Sequence, residues 1–66
     1  MIATTEKNNY LVELFEENDD YIVKVFHILL DRQLVKEQNF SVFRNAIDYF
    51  DKIIEYAEMG ETIEFL

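Results

Sequence analysis

One histidine, one serine and no cysteine occur in these 66 residues, so the side chains that carry most nucleophilic and metal chemistry are scarce. His27 changes charge near neutrality, which makes it a candidate general base or a pH-sensitive interface residue. General-base catalysis also requires a nucleophile or an orienting acid within hydrogen-bond reach, set in a cleft. No pattern in the chain supplies either, and packing at the end of a strand accounts for His27 more simply. Ser41 stands immediately before an apolar periodic segment, where a serine caps a helix. Without cysteine there is no disulfide, thiolate nucleophile or Cys-ligated zinc, and one glycine with no proline leaves no glycine-rich phosphate cradle. The residue census points away from an enzyme, a metal site or a cofactor.

Oxygen-bearing residues are plentiful. Glu16-Glu17-Asn18-Asp19-Asp20 gathers ligands that suit a hard cation. The cluster lacks the loop glycine and the bidentate glutamate of a calcium loop, so a solvated hairpin tip is preferred. Asp48, Asp51, Glu55 and Glu58 recur at steps of three, four and three residues, which confines them to an arc of roughly 80° on a helix. Their rises of roughly 4.5 to 6 Å approach the spacing of phosphates along a nucleic-acid strand, so a mimic that inhibits a DNA- or RNA-handling protein is one reading. Arg44 on the same arc and Lys52 beside it favour an ordinary solvated face that steers encounter. Tyr49 and Tyr56 flank the apolar stripe with Met59 near them, as anchors of a protein interface do.

Fourteen acidic against six basic residues give a net charge of -8. Such a field repels nucleic acid and anionic lipid and speeds encounter with a basic protein surface. Half of the residues are hydrophobic and ten are Phe or Tyr, too much apolar material for a disordered tail. The length allows a single domain over 1–66. A domain this small, lacking disulfides, gains most from self-association. No stretch of about 18 apolar residues occurs, and the first residues carry no leader pattern, so a cytoplasmic protein is expected.

The elements that must position these residues follow from periodicity. Tyr10 to Phe15 and Tyr21 to Phe26 are rich in β-branched and aromatic residues on either side of the polar cluster, which predicts a β-hairpin over about 10–28. With Asn18 and Asp19 in the turn, Glu13 pairs with Lys24, Leu14 with Val23, Val12 with Val25 and Phe15 with Ile22. Val12, Leu14, Val23 and Val25 then share one face; Leu11, Phe15, Ile22 and Phe26 share the other around a Glu13–Lys24 ion pair. Asp31 and Arg32 form a second turn before a short strand over 34–38. A helix over 21–36 is the competing reading, and with it a three-helix bundle. From Phe43 to Ala57 the apolar residues recur at helical spacing and Gly60 follows, which predicts a helix over about 42–59. The alternating tail 62–66 is read as an edge strand.

Since one helix covers one face of a hairpin, the other requires a partner. Val12, Leu14, Val23 and Val25 are assigned to a homodimer interface, and Tyr49, Tyr56, Met59, Asp48, Asp51, Glu55 and Glu58 to partner binding.

The order of hairpin, short strand and helix, carried here by Tyr10 to Phe26 and Ser41 to Ala57, is similar in outline to the small N-terminal domains of HicB-type antitoxins. The stretch His27-Ile28-Leu29-Leu30-Asp31-Arg32 lacks the proline and glycine that such domains place after the second strand. The resemblance implies an antitoxin-type domain as a further alternative and assigns no functional residue.

These expectations converge on an α+β fold, a small antiparallel sheet on one long helix. The expected function is that of a small acidic, non-enzymatic regulator or adaptor that binds a protein with a basic surface, acts as a homodimer, and contacts neither nucleic acid nor membrane.

Overall fold

A computed structural model describes residues 1–66, the side chain of Leu30 excepted. Strands β1 (Ala3–Lys7), β2 (Tyr10–Glu17), β3 (Asp20–His27) and β4 (Gln33–Phe40) form one antiparallel sheet in sequential order, followed by helix α1 (Phe43–Glu58). Short 3₁₀ turns occupy Ile28–Leu30 and Ile63–Phe65. The architecture is α+β and not a three-helix bundle.

Turn chemistry builds the meander. Asn8 and Asn9 join β1 to β2, and Asn18 and Asp19 join β2 to β3, all four at positive φ, as two-residue hairpin turns demand of Asn and Asp. Asp31 and Arg32 also lie at positive φ, before β4. The β2–β3 register is the expected one, with Val12 opposite Val25, Glu13 opposite Lys24, Leu14 opposite Val23 and Phe15 opposite Ile22. In β4 the strand runs further than 34–38, and its pairing shifts between Val25 and Phe26, leaving Val35 as the extra residue of a bulge.

Helix α1 lies on the face that presents Tyr10, Val12, Leu14, Val23 and Val25, and meets it with Ala46, Phe50, Ile53 and Ala57. Val12, Leu14, Val23 and Val25 are all fully buried, each worth roughly 1.5–3 kcal/mol of transfer free energy. Their assignment to a dimer interface is therefore corrected: they are the core of the single chain. The opposite face carries Glu13 and Lys24 at its middle, and the apolar stripe of a helix laid there would strip both of water without supplying a charged partner to either.

Three further expectations change. The tail is not an edge strand, because Ile63 turns inward and is fully buried against the core within its 3₁₀ turn. Ser41 is not the cap; Val42 takes that position with no side-chain cap hydrogen bond, and its carbonyl accepts from the Asn45 and Ala46 N–H groups. The ion pair of Lys24 is with Glu37 at 3.9 Å, across β4, instead of Glu13. β1, for which the pattern of residues 3–7 gives no expectation, pairs Thr5 with Val12 and completes the sheet.

At its C-terminus α1 stops as the glycine predicts. Gly60 has φ of +82°, its N–H donates to Ala57 and that of Glu61 to Tyr56, which together make the Schellman pattern. The first turn reinforces that stop, since the Asn8 side-chain amide donates to the Ala57 carbonyl at 2.7 Å.

Candidate interaction surfaces

The sheet face away from α1 is covered by no helix. Leu11, Phe15, Ile22 and Phe26 are half-buried there, and Leu34, paired with Phe26, is 45% exposed. These residues occupy alternate positions, so the pleat that points the valines at the helix points them outward. Lys24 stands among them with its ammonium 5.3 Å from the centroid of the Phe15 ring, a cation–π contact that holds the lysine over apolar surface. Glu13 and Glu37 flank it in register. The face therefore combines aromatic and aliphatic contact area with a central cation between two carboxylates.

The carboxylate row lies on the solvent side of α1, with Asp48, Asp51, Glu55 and Glu58 all exposed. Its two ends are neutralised. Asp48 pairs with Arg44 at 3.6 Å and Glu58 with Lys7 at 3.5 Å, each an exposed pair of small energetic weight. Asp51 and Glu55 remain as the charged middle. Met59 is 65% exposed beyond the end of the helix.

Tyr49 and Tyr56 are half-buried and pack against the core from the flank of α1. They line a groove of about 390 Å³ between α1 and β4, to which the helix also contributes Lys52 and Ile53. Lys36 and Gln38 of β4 form its other wall, and Leu66 closes one end. A shallower groove of about 250 Å³ continues along the same seam and shares Tyr49 and Lys52. The Tyr49 hydroxyl is shielded from solvent with no hydrogen-bond partner, and burial pushes its pKa up. Helical periodicity puts the tyrosines on this flank of α1, whereas the groove is not legible from it. Its signal was the pair Lys36 and Gln38, polar residues at positions of β4 opposite Val25 and Val23, where the neighbouring strands present apolar ones.

A polar cluster closes the end of the sheet where β2 begins and β3 ends. Tyr10 and His27, directly paired in register, meet edge to face at 4.9 Å. The Tyr10 hydroxyl donates to Glu64 Oε1 at 2.5 Å and accepts from the Ile63 N–H at 3.3 Å. Burial first, and donation to Glu64 second, raise the Tyr10 pKa. The same hydrogen bond is the main cause that holds the Glu64 carboxyl below its ordinary range. His27 Nδ1 is buried without a partner, and the histidine packs at the end of its strand, the role the sequence favoured. Glu16, Glu17, Asn18, Asp19 and Asp20 stand exposed at the hairpin tip, and among the described residues no group of three or more His, Asp or Glu side chains converges as a metal site. Among the same residues, no helix is long and apolar enough to cross a membrane.

Fold and surfaces together define an acidic α+β module, a four-stranded antiparallel sheet with a helix on one face and the other face bare. No protein-family model matches the chain, and no curated protein and no solved structure is significantly similar to it.

Proposed function

We propose that this chain is a small, non-enzymatic, cytoplasmic regulator or adaptor that works by binding protein, and that it forms a homodimer through the bare sheet face. The observation that carries the reading is the row Leu11, Phe15, Ile22, Phe26 and Leu34 on a face that no helix covers. Strands of eight residues span about 27 Å and the five-residue β1 about 17 Å, and the four strands together are about 19 Å wide, so two such faces in contact bury at most about 950 Å² in total, just below the lower bound for a specific interface. An interface near that lower bound suits a weak, transient dimer, and the expected Kd is in the micromolar range or weaker, about −8 kcal/mol or less in magnitude. A two-fold arrangement suits the charges, because Lys24 of one copy meets the Glu13 and Glu37 carboxylates of the other. The helix stays outward in such a dimer, which leaves Asp51, Glu55, Tyr49, Tyr56 and Met59 for a partner with a basic surface.

Sedimentation across a concentration series tests this, with Phe26→Ser and the double variant Phe15→Ser/Phe26→Ser as probes. Each half-buried ring contributes roughly 50 Å² of residual apolar area per copy, so removing one from both copies costs ~2.5 kcal/mol of association. The single variant is expected to dimerise more weakly by well over tenfold, on the order of 50-fold, with its far-ultraviolet circular dichroism unchanged. Added salt is expected to strengthen the dimer, since it screens two copies of charge -8. A wild-type protein that stays monomeric at about 1 mM would remove the dimer.

A further inference from the structure

The seam between α1 and β4 carries an inference beyond protein binding, on a surface separate from the dimer face. On their helix-facing sides β2 and β3 present Val12, Leu14, Val23 and Val25, all fully buried. Opposite Val25 and Val23, β4 presents Lys36 and Gln38. The result is a gap in the apolar layer, about 390 Å³ in volume, within the size range of small-molecule sites.

The gap also holds an unusual share of the positive charge. Of the six cationic side chains, Lys7, Lys24 and Arg44 are ion-paired with carboxylates. Among the described residues, Arg32, Lys36 and Lys52 have no carboxylate side-chain partner, and the two lysines both line this one groove. A chain of net charge -8 thus places two ammonium groups without a carboxylate side-chain partner beside two tyrosine rings and Ile53. The chain supplies its own stand-in for what such a groove accepts. Leu66 borders the groove, and a backbone oxygen of Leu66 accepts a hydrogen bond from the Lys36 ammonium. An oxygen acceptor on the lysine next to an apolar side chain is the polar-headed, apolar-bodied arrangement of an amphipathic ligand, and the two ammonium groups select an anionic head.

Charge fixes the class further. The long-range field of the molecule repels polyanions, which favours a ligand with a single anionic head. The shallower continuation of the groove is bordered by Asp48, so the head belongs at the Lys36 end and the apolar body against Ile53, Tyr49 and Tyr56. We infer that the α1–β4 groove is a binding site for a small amphipathic monoanion, a carboxylate with an apolar body, held by Lys36 and Lys52.

Octanoate and its uncharged twin octanamide, titrated into the ¹⁵N-labelled protein and followed by heteronuclear correlation spectra, separate head from tail. Octanoate is expected to saturate and to shift the amides of Gln38, Tyr49, Lys52, Ile53 and Tyr56. Octanamide is expected to bind about tenfold more weakly, because it lacks the charge that both ammonium groups recognise. Lys36→Gln and Lys52→Gln are each expected to bring octanoate down to the octanamide level without changing the melting temperature by more than about 3 °C. Equal affinity of the two probes in the wild type overturns the site without recourse to any variant. So does an octanoate titration that stays linear to about 10 mM, or one whose shifts fall on Leu11, Phe15, Ile22 and Phe26, which marks adsorption to the bare face. Failure of the groove site leaves the dimer standing, because sedimentation of the ligand-free protein reads dimerisation independently.

Discussion

Tyr10→Phe isolates one oxygen. The ring stays, and with it the edge-to-face contact with His27 at 4.9 Å. Two hydrogen bonds are lost, the donation to Glu64 Oε1 at 2.5 Å and the acceptance from the Ile63 N–H at 3.3 Å. A hydrogen bond to a charged group is worth ~1.5–3 kcal/mol, and a buried N–H left unpartnered adds a cost of ~1 kcal/mol or more. Because the Ile63 N–H can recover part of its solvation as the tail loosens, a net loss of about 2–4 kcal/mol is expected. For a chain of this length that lowers the melting temperature by on the order of 15 °C. The pH dependence supplies the sharper test. The folded Glu64 carboxyl lies below its ordinary pKa, chiefly because of the Tyr10 hydroxyl. A depressed carboxyl contributes stability that is complete above its unfolded value, about 4.3, and disappears as pH falls through the folded value. The gap between wild type and Tyr10→Phe should therefore be widest near neutrality and narrow below about pH 4. Urea unfolding followed by circular dichroism, at neutral pH and near pH 3, measures both arms. A loss below about 0.5 kcal/mol, or a gap that keeps its size across that range, would refute the assignment of Glu64 and Tyr10 as the latch that fastens the tail.

Two stability predictions complete this set. Gly60→Ala places a Cβ at φ +82° where no atom lies within 4 Å, so its cost is backbone strain alone, about 1–2 kcal/mol; thermal melts are expected to fall accordingly, and an unchanged melt would mean that the helix ends by another route. Tyr49→Phe deletes a shielded hydroxyl without a partner and is expected to leave stability unchanged or raise it by about 1 kcal/mol. A drop of similar size in chemical denaturation would show that the hydroxyl is bonded.

The carboxylate row shows why spacing alone did not decide the chemistry of α1. Asp48, Asp51, Glu55 and Glu58 do share one exposed arc, but Arg44 from the helix and Lys7 from β1 neutralise its ends. The first of those pairs is four residues apart and legible from the helix period. The second joins positions far apart in sequence and depends on the first β-turn meeting the end of the helix. The groove followed the same logic. Tyr49 and Tyr56 could be placed on a flank from periodicity, whereas Lys36 and Gln38 joined them only once β4 was seated beside β3.

What the residues determined by themselves was local. Asn18-Asp19 set a tight turn that fixed the β2–β3 register, Asp31-Arg32 ended the second segment, and the apolar repeat from Phe43 with Gly60 after it set the helix and its stop. These depend on backbone conformations that a few neighbouring side chains impose. The tertiary structure decided which face of the ribbon became the core, whether the tail paired as a strand or sent Ile63 inward, and that Ala3–Lys7 joined as a fourth strand. Both faces of the hairpin were apolar enough to be covered, so pattern left the choice open. The difference lay in the cost of dehydrating Glu13 and Lys24 against that of burying four uncharged side chains, a comparison between alternative packings that no single segment contains.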